Sequence, residues 1–176
     1  MNKLLFAAIV AAIVGVAGTA IADDAAATPY MVIEAQMVGQ DVIGLVPEGL
    51  RLNGHTRGVI TEGLLAGATT TGVDSMLVRH DGVSVLDARY FAVHPDGVTV
   101  AITLKGFSGE PSPGLLEAML DPEFEFPDVD SPAHVAAWFQ TMAPQYAFLN
   151  HTVFGCTATV NMVEGVIRAT CRPLAP

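Results

Sequence analysis

Asp74, Asp87, Arg89 and Lys105 are the residues of this sequence best suited to acid–base chemistry or to holding the polar end of a ligand. A guanidinium can clamp a carboxylate or an enolate oxygen through paired hydrogen bonds. A carboxyl screened from water has its pKa raised and can exchange a proton near neutrality. On that chemistry Asp74 and Asp87 are candidate acid/base groups and Arg89 is a candidate oxyanion partner. Whether they act together depends on the strands that carry them.

Those strands are legible. Residues 73–107 read as three strands joined by two tight turns, Asp81-Gly82 and Pro95-Asp96-Gly97. Asp-Gly between alternating apolar runs predicts a two-residue type I′ hairpin loop. Pro-Asp-Gly predicts a three-residue loop with Gly in the left-handed position. The first turn then sets Asp74 opposite Arg89, and the second sets Asp87 opposite Lys105. Because side chains alternate faces, all four charges share one face. The other face carries Ser75, Leu77, Ser84, Leu86, Ala88, Tyr90, Val100, Ile102 and Leu104 and must be buried.

The charged face also bears Met76, Val78, Val85, Phe91 and Val93, too many large apolar groups for an open surface. Both faces are therefore expected to be covered, one by a barrel interior and the other by helix, loops or a second subunit. Three readings of the charges stay open. They form a solvated salt-bridge ladder worth about 0.2–1 kcal/mol per pair, the polar end of an apolar ligand cavity, or part of a homodimer interface. In the cavity reading Phe91 and Lys105 join the ligand-binding set.

Around this meander the chain reads as strands at short spacing. Residues 30–38 and 57–65 are strands, 39–54 an irregular crossing with at most a short strand at 43–46, and 114–120 one or two helical turns. A short strand is read at 123–126. Ser131-Pro132 resembles an N-cap with Pro at the first helical position, predicting a short helix over 133–138. Residues 146–159 and 165–173 read as the last strands. About eight strands with one or two short helices predict an all-β fold, an antiparallel sheet closed or nearly closed into a barrel.

The first 22 residues stand apart. Lys3, the apolar run 4–16 and Ala20-Ile21-Ala22 make a secretory signal peptide, with cleavage before Asp23, a disordered leader over 23–29, and a single domain over 30–176. A periplasmic or secreted protein without stable membrane insertion follows. The 18 acidic side chains against 8 basic ones, a net charge of −10, disfavour nucleic acid as a partner. Cys156 and Cys171 are the 2 cysteines, and a two-residue loop at Val163-Glu164 pairs them across the last hairpin, so export makes a disulfide sensible. No two of the 5 histidines sit at metal-ligand spacing, and neither a metal nor a cofactor is expected.

Leu86-Asp87-Ala88-Arg89-Tyr90, with Gly72-Val73-Asp74 and Arg79-His80-Asp81-Gly82 before it, resembles the proteins grouped as domain of unknown function 3237, also called uncharacterised protein family 0311. A second block, Phe139-Gln140-Thr141 followed by Pro144-Gln145-Tyr146-Ala147-Phe148-Leu149-Asn150 and Phe154-Gly155, carries the same resemblance. Ser75 and Phe148 depart from the family pattern, as do an insertion over 128–136 and the cysteine pair. The resemblance implies a barrel of lipocalin-like or allene-oxide-cyclase-like shape and no settled activity. It favours Asp74, Asp87 and Arg89 as cavity residues with Tyr146 and Asn150 beside them. The expected function is binding of a small, largely apolar organic ligand with one polar end. The rival is a cofactor-free lyase, isomerase or cyclase using the Asp/Arg set.

Overall fold

The computed structural model describes residues 30–174; the expected signal peptide and leader lie outside them. The described chain forms one closed antiparallel barrel in which each strand pairs with the next and the last with the first. The strands are β1 (Met31–Val46), β2 (Gly49–Gly63), β3 (Thr69–Arg79), β4 (Ser84–Val93), β5 (Thr99–Ser108), β6 (Asp130–Gln140), β7 (Phe154–Asn161) and β8 (Val166–Pro173). A short helix, α1 (Leu115–Met119), interrupts the β5–β6 connection, and a 3₁₀ helix (Pro144–His151) precedes β7.

Three expected helix and strand assignments change. The segment around Ser131-Pro132 is β6, not a helix: Ala133, Ala137 and Phe139 are buried while His134, Trp138 and Gln140 are exposed, a period of two. Three alanines gave that strand a helical composition, and Pro132 is tolerated because it sits near the strand's start. Conversely, residues 146–151 form the 3₁₀ helix rather than the opening of a strand. β1 and β2 are also longer than expected, since bulges after Val32, Met37 and Val42 absorb the glycines that broke the alternation. Residues 123–126 form no strand.

The interior has two unlike ends. One is solid: Met31, Ile60, Val100, Ile102, Phe139 and Phe154 form its core, with Phe139 and Phe154 packed edge to face at 5.0 Å. Tyr146 and Phe148 of the 3₁₀ helix pack against that core. Cys156 and Cys171 face each other on β7 and β8 and are joined by a disulfide, as the hairpin register predicts. At the other end α1 lays Leu116 on Leu50, Leu52 and Val78, with Met76 and Met119 beside them. The barrel end under α1 is not filled.

Candidate functional site

The position of every candidate residue follows from two turns of the same kind. In each, the Gly alone takes positive φ, +84° at Gly82 and +89° at Gly97. Each Gly N–H returns to a carbonyl three residues back, Arg79 and His94 respectively, at 2.9 Å. In each the preceding Asp carboxylate accepts the next backbone N–H, Asp81 from Val83 at 3.2 Å and Asp96 from Val98 at 3.0 Å. An Asp held in this way needs no left-handed backbone, so Asp81-Gly82 closes a three-residue loop instead of the type I′ loop that the dipeptide suggests.

That single residue of slip inverts β3. Asp74 stands opposite Ala88, not Arg89, and Ser75 stands opposite Asp87. The second hairpin keeps its expected register, with Asp87 opposite Lys105. Asp74 therefore points into the barrel, whereas Asp87, Arg89, Lys105 and Phe91 are on its outer surface. The proposed four-residue cluster does not exist as one site. On the outside Asp87 pairs with Arg89 and, at 3.1 Å, with Lys105. Partial desolvation would raise the Asp87 pKa, but the hydrogen bonds from Lys105 and Arg89 outweigh it and hold the group below the usual carboxylate range. Phe91, Phe107 and Trp138 are exposed around it, so within this chain the outer face of the meander is open.

Asn150 and Tyr146 are elsewhere again. The Asn150 side chain accepts from the Thr141 N–H at 2.8 Å and donates to the Thr141 carbonyl at 3.0 Å, tying the 3₁₀ helix to the end of β6. Neither residue lines the cavity.

The cavity occupies the unfilled end and has a volume of about 530 Å³. Its floor is β2 and β3 (Leu52, Gly54, Thr56, Asp74, Met76), and its cover is the β5–β6 connection with Leu115, Met119 and Phe126. Glycine makes room for the floor's polar groups. Asp74 has Gly54 on one neighbouring strand and Ala88 on the other. Gly72 lies between Thr56 and Tyr90 in the same cross-strand row. A Cβ on Gly72 would stand 2.3 Å from Cδ1 of Tyr90 and 2.2 Å from the Arg89 carbonyl oxygen. Only a glycine lets the Tyr90 ring lie across the strand toward Thr56.

Two side-chain atoms in this region are buried without a hydrogen-bond partner, Asp74 Oδ1 and Thr56 Oγ1. Burial pushes the Asp74 carboxyl up to about 6, partly offset by the nearby Asp87 main-chain N–H and reinforced by the Asp87 charge across the wall. Burial, then the Asp74 charge, raises the Tyr90 phenol to about 12, with the Thr56 hydroxyl acting weakly the other way. The site thus has an acid that titrates near neutrality and a hydroxyl beside it on mostly apolar walls, with the protonated Tyr90 phenol next to Thr56 but outside the cavity lining. Thr56 and Tyr90 escaped the sequence reading because β2 was started too late and Tyr90 was counted as core. The alternation Leu50, Leu52, Gly54, Thr56 was the available signal. Among the described residues no group of three or more His, Cys, Asp or Glu could hold a metal ion, and no helix is long and apolar enough to cross a membrane.

Comparison with known proteins gives the family. The model of a protein family described as "Protein of unknown function (DUF3237)" matches residues 26–171. The chain belongs to that family. A curated relative, a member of uncharacterised protein family 0311 from Clostridium acetobutylicum, is 32% identical over 88 residues, 50% of this chain and 54% of the relative. That alignment spans about half the length of the relative. Among solved structures, a conserved protein of unknown function from Rhodopseudomonas palustris has a TM-score of 0.63 at 22% identity, covering 84% of this chain and 97% of that one. A protein with unknown function from Clostridium acetobutylicum has a TM-score of 0.66 at 20% identity, covering 83% and 99%. A structure described as an enzyme from Penicillium herquei has a TM-score of 0.51 at 16% identity, covering 84% and 96%. At these identities the structures speak for the DUF3237 fold alone.

Proposed function

We propose that this DUF3237 barrel binds a small, largely apolar organic molecule, buried in the open end with its one polar group on Asp74 and Thr56. The observation that carries this is the Asp74 carboxyl, whose Oδ1 is buried without a partner, lining a mostly apolar cavity beside Thr56, whose Oγ1 is likewise buried and unpartnered. Burying a polar atom without a hydrogen bond costs roughly 1–3 kcal/mol, a cost that a ligand's polar group would remove. The volume of about 530 Å³ lies within the span of small-molecule pockets. Export through the N-terminal leader belongs to the same proposal, and the disulfide is consistent with an extracytoplasmic location.

Native mass spectrometry of the protein gently purified from the periplasm of its producing cells tests this. A co-purifying small molecule is expected on the wild type and on Arg89→Ala, whose side chain is outside the barrel, but not on Met76→Trp, which fills the cavity. Equal retention by Met76→Trp, or loss in Arg89→Ala with the fold intact, would contradict the reading.

One observation favours catalysis as a second reading. A carboxyl titrating at about 6 is suited to take up and return a proton at a carbon or oxygen of the bound molecule. The acid/base role then falls to Asp74 alone, with the Thr56 hydroxyl as hydrogen-bond donor to a developing oxyanion. A barrel of this fold described as an enzyme keeps that reading in play.

A further inference from the structure

The charges around the cavity are of one sign. Among the described residues its charged lining is Asp74 on the floor and Glu110 and Asp130 toward the cover, with no Lys, Arg or His. The cations that might have balanced them, Arg89 and Lys105, are held by Asp87 on the far side of the wall. The rest of the lining is mostly apolar and includes Met37, Met76, Met119 and Met162. Unbranched, polarisable methionines adapt to many shapes, so the walls fix the body of a ligand loosely while the floor fixes its head group.

We propose that the head group is a protonated amine, so that the cavity takes apolar organic cations and rejects apolar carboxylates. This rests on the cavity being the ligand site. A carboxylate brought to the floor would set a second negative charge beside Asp74 with no cation to answer it. An alcohol can donate one hydrogen bond to the Asp74 carboxylate. An alkylammonium can donate three, enough for the Asp74 carboxylate and the Thr56 hydroxyl together, and it neutralises the carboxylate as well. Charge-assisted hydrogen bonds of this kind are about twice as strong as neutral ones. The net charge of −10 favours the approach of cations over anions.

Isothermal titration of the purified protein with n-octylamine, n-octanol and n-octanoate at neutral pH separates the possibilities, since the three share one chain and differ in the head. The expected order is amine, alcohol, carboxylate, with the amine at least about tenfold tighter than the alcohol. In Asp74→Asn the amine's advantage should fall to within about threefold, while octanol, which needs only the apolar walls and one hydrogen bond, should bind about as before. Octanol bound without any preference for the amine, or an amine preference that survives Asp74→Asn, would overturn the head-group assignment and leave the cavity reading standing. Binding of none of the three would overturn both.

Discussion

Asp74 is a carboxylate that the fold holds at a cost to itself. Its ordinary pKa of 3.8 rises to about 6 in the folded barrel because burial disfavours the charged form. The folded state therefore holds this proton more tightly than the unfolded chain does. Stability is highest while both states are protonated, declines as pH rises from about 4 to about 6, and stays reduced above that. Asp74→Asn cannot ionise and should escape the penalty. Thermal melts of both proteins across this range should show the variant gaining on the wild type as pH rises, by at most about 3 kcal/mol at pH 7. A difference independent of pH would mean that Asp74 is as wet as a surface carboxylate. The sequence made Asp74 a candidate by its type and surroundings, and that choice of residue is the part that matches the cavity. Its companions on the meander, Asp87, Arg89, Lys105 and Phe91, share the opposite face once β3 is in register, while Tyr146 and Asn150 sit in the 3₁₀ helix at the other end.

At the scale of elements, the pairing of the last hairpin was legible because Cys156 and Cys171 fall at equal distances from the turn, and β4–β5 was legible because Pro95 fixed the loop type. The β3–β4 register was not. Asp-Gly suits both a type I′ loop and the last two positions of a three-residue loop, and the choice rests on the Asp81 carboxylate capping the Val83 N–H. β6 was obscured by its alanines, which are good helix formers, yet Ala137 packs here between Leu104 of β5 and Phe154 of β7. The β3–β4 pair also depends on a missing side chain. Gly72→Ala puts a methyl 2.2 Å from the Arg89 carbonyl oxygen and 2.8 Å from the Tyr90 Cα, both backbone atoms that cannot turn aside. Denaturant unfolding should register a loss at the upper end of the roughly 1–3 kcal/mol typical of overpacking. The Tyr90 ring should also be driven away from Thr56. A neutral substitution would show that β3 and β4 are not so closely apposed.

As a whole molecule, the barrel divides its labour between its ends. The end closed by Phe139, Phe154 and the disulfide is packed solid and makes the fold, while the end under α1 leaves its floor polar groups unsatisfied. The cover is a long connection between β5 and β6, with Gly109 at its start and Gly114 just before α1 both at positive φ. The general barrel architecture could be read from the number and spacing of strands and from the family resemblance. The cavity could not, because an empty space arises from what several strands jointly fail to fill. Its existence turns on the small residues Gly54, Gly72 and Ala88, which no pattern within a single strand marks as special.

The most direct test of this account follows the Asp74 carboxyl carbon by nuclear magnetic resonance across pH, with and without n-octanol. A titration midpoint near 6 is expected in the free protein, with a resonance that moves when the alcohol is added. A midpoint at the ordinary carboxylate value, unmoved by the alcohol, would contradict it.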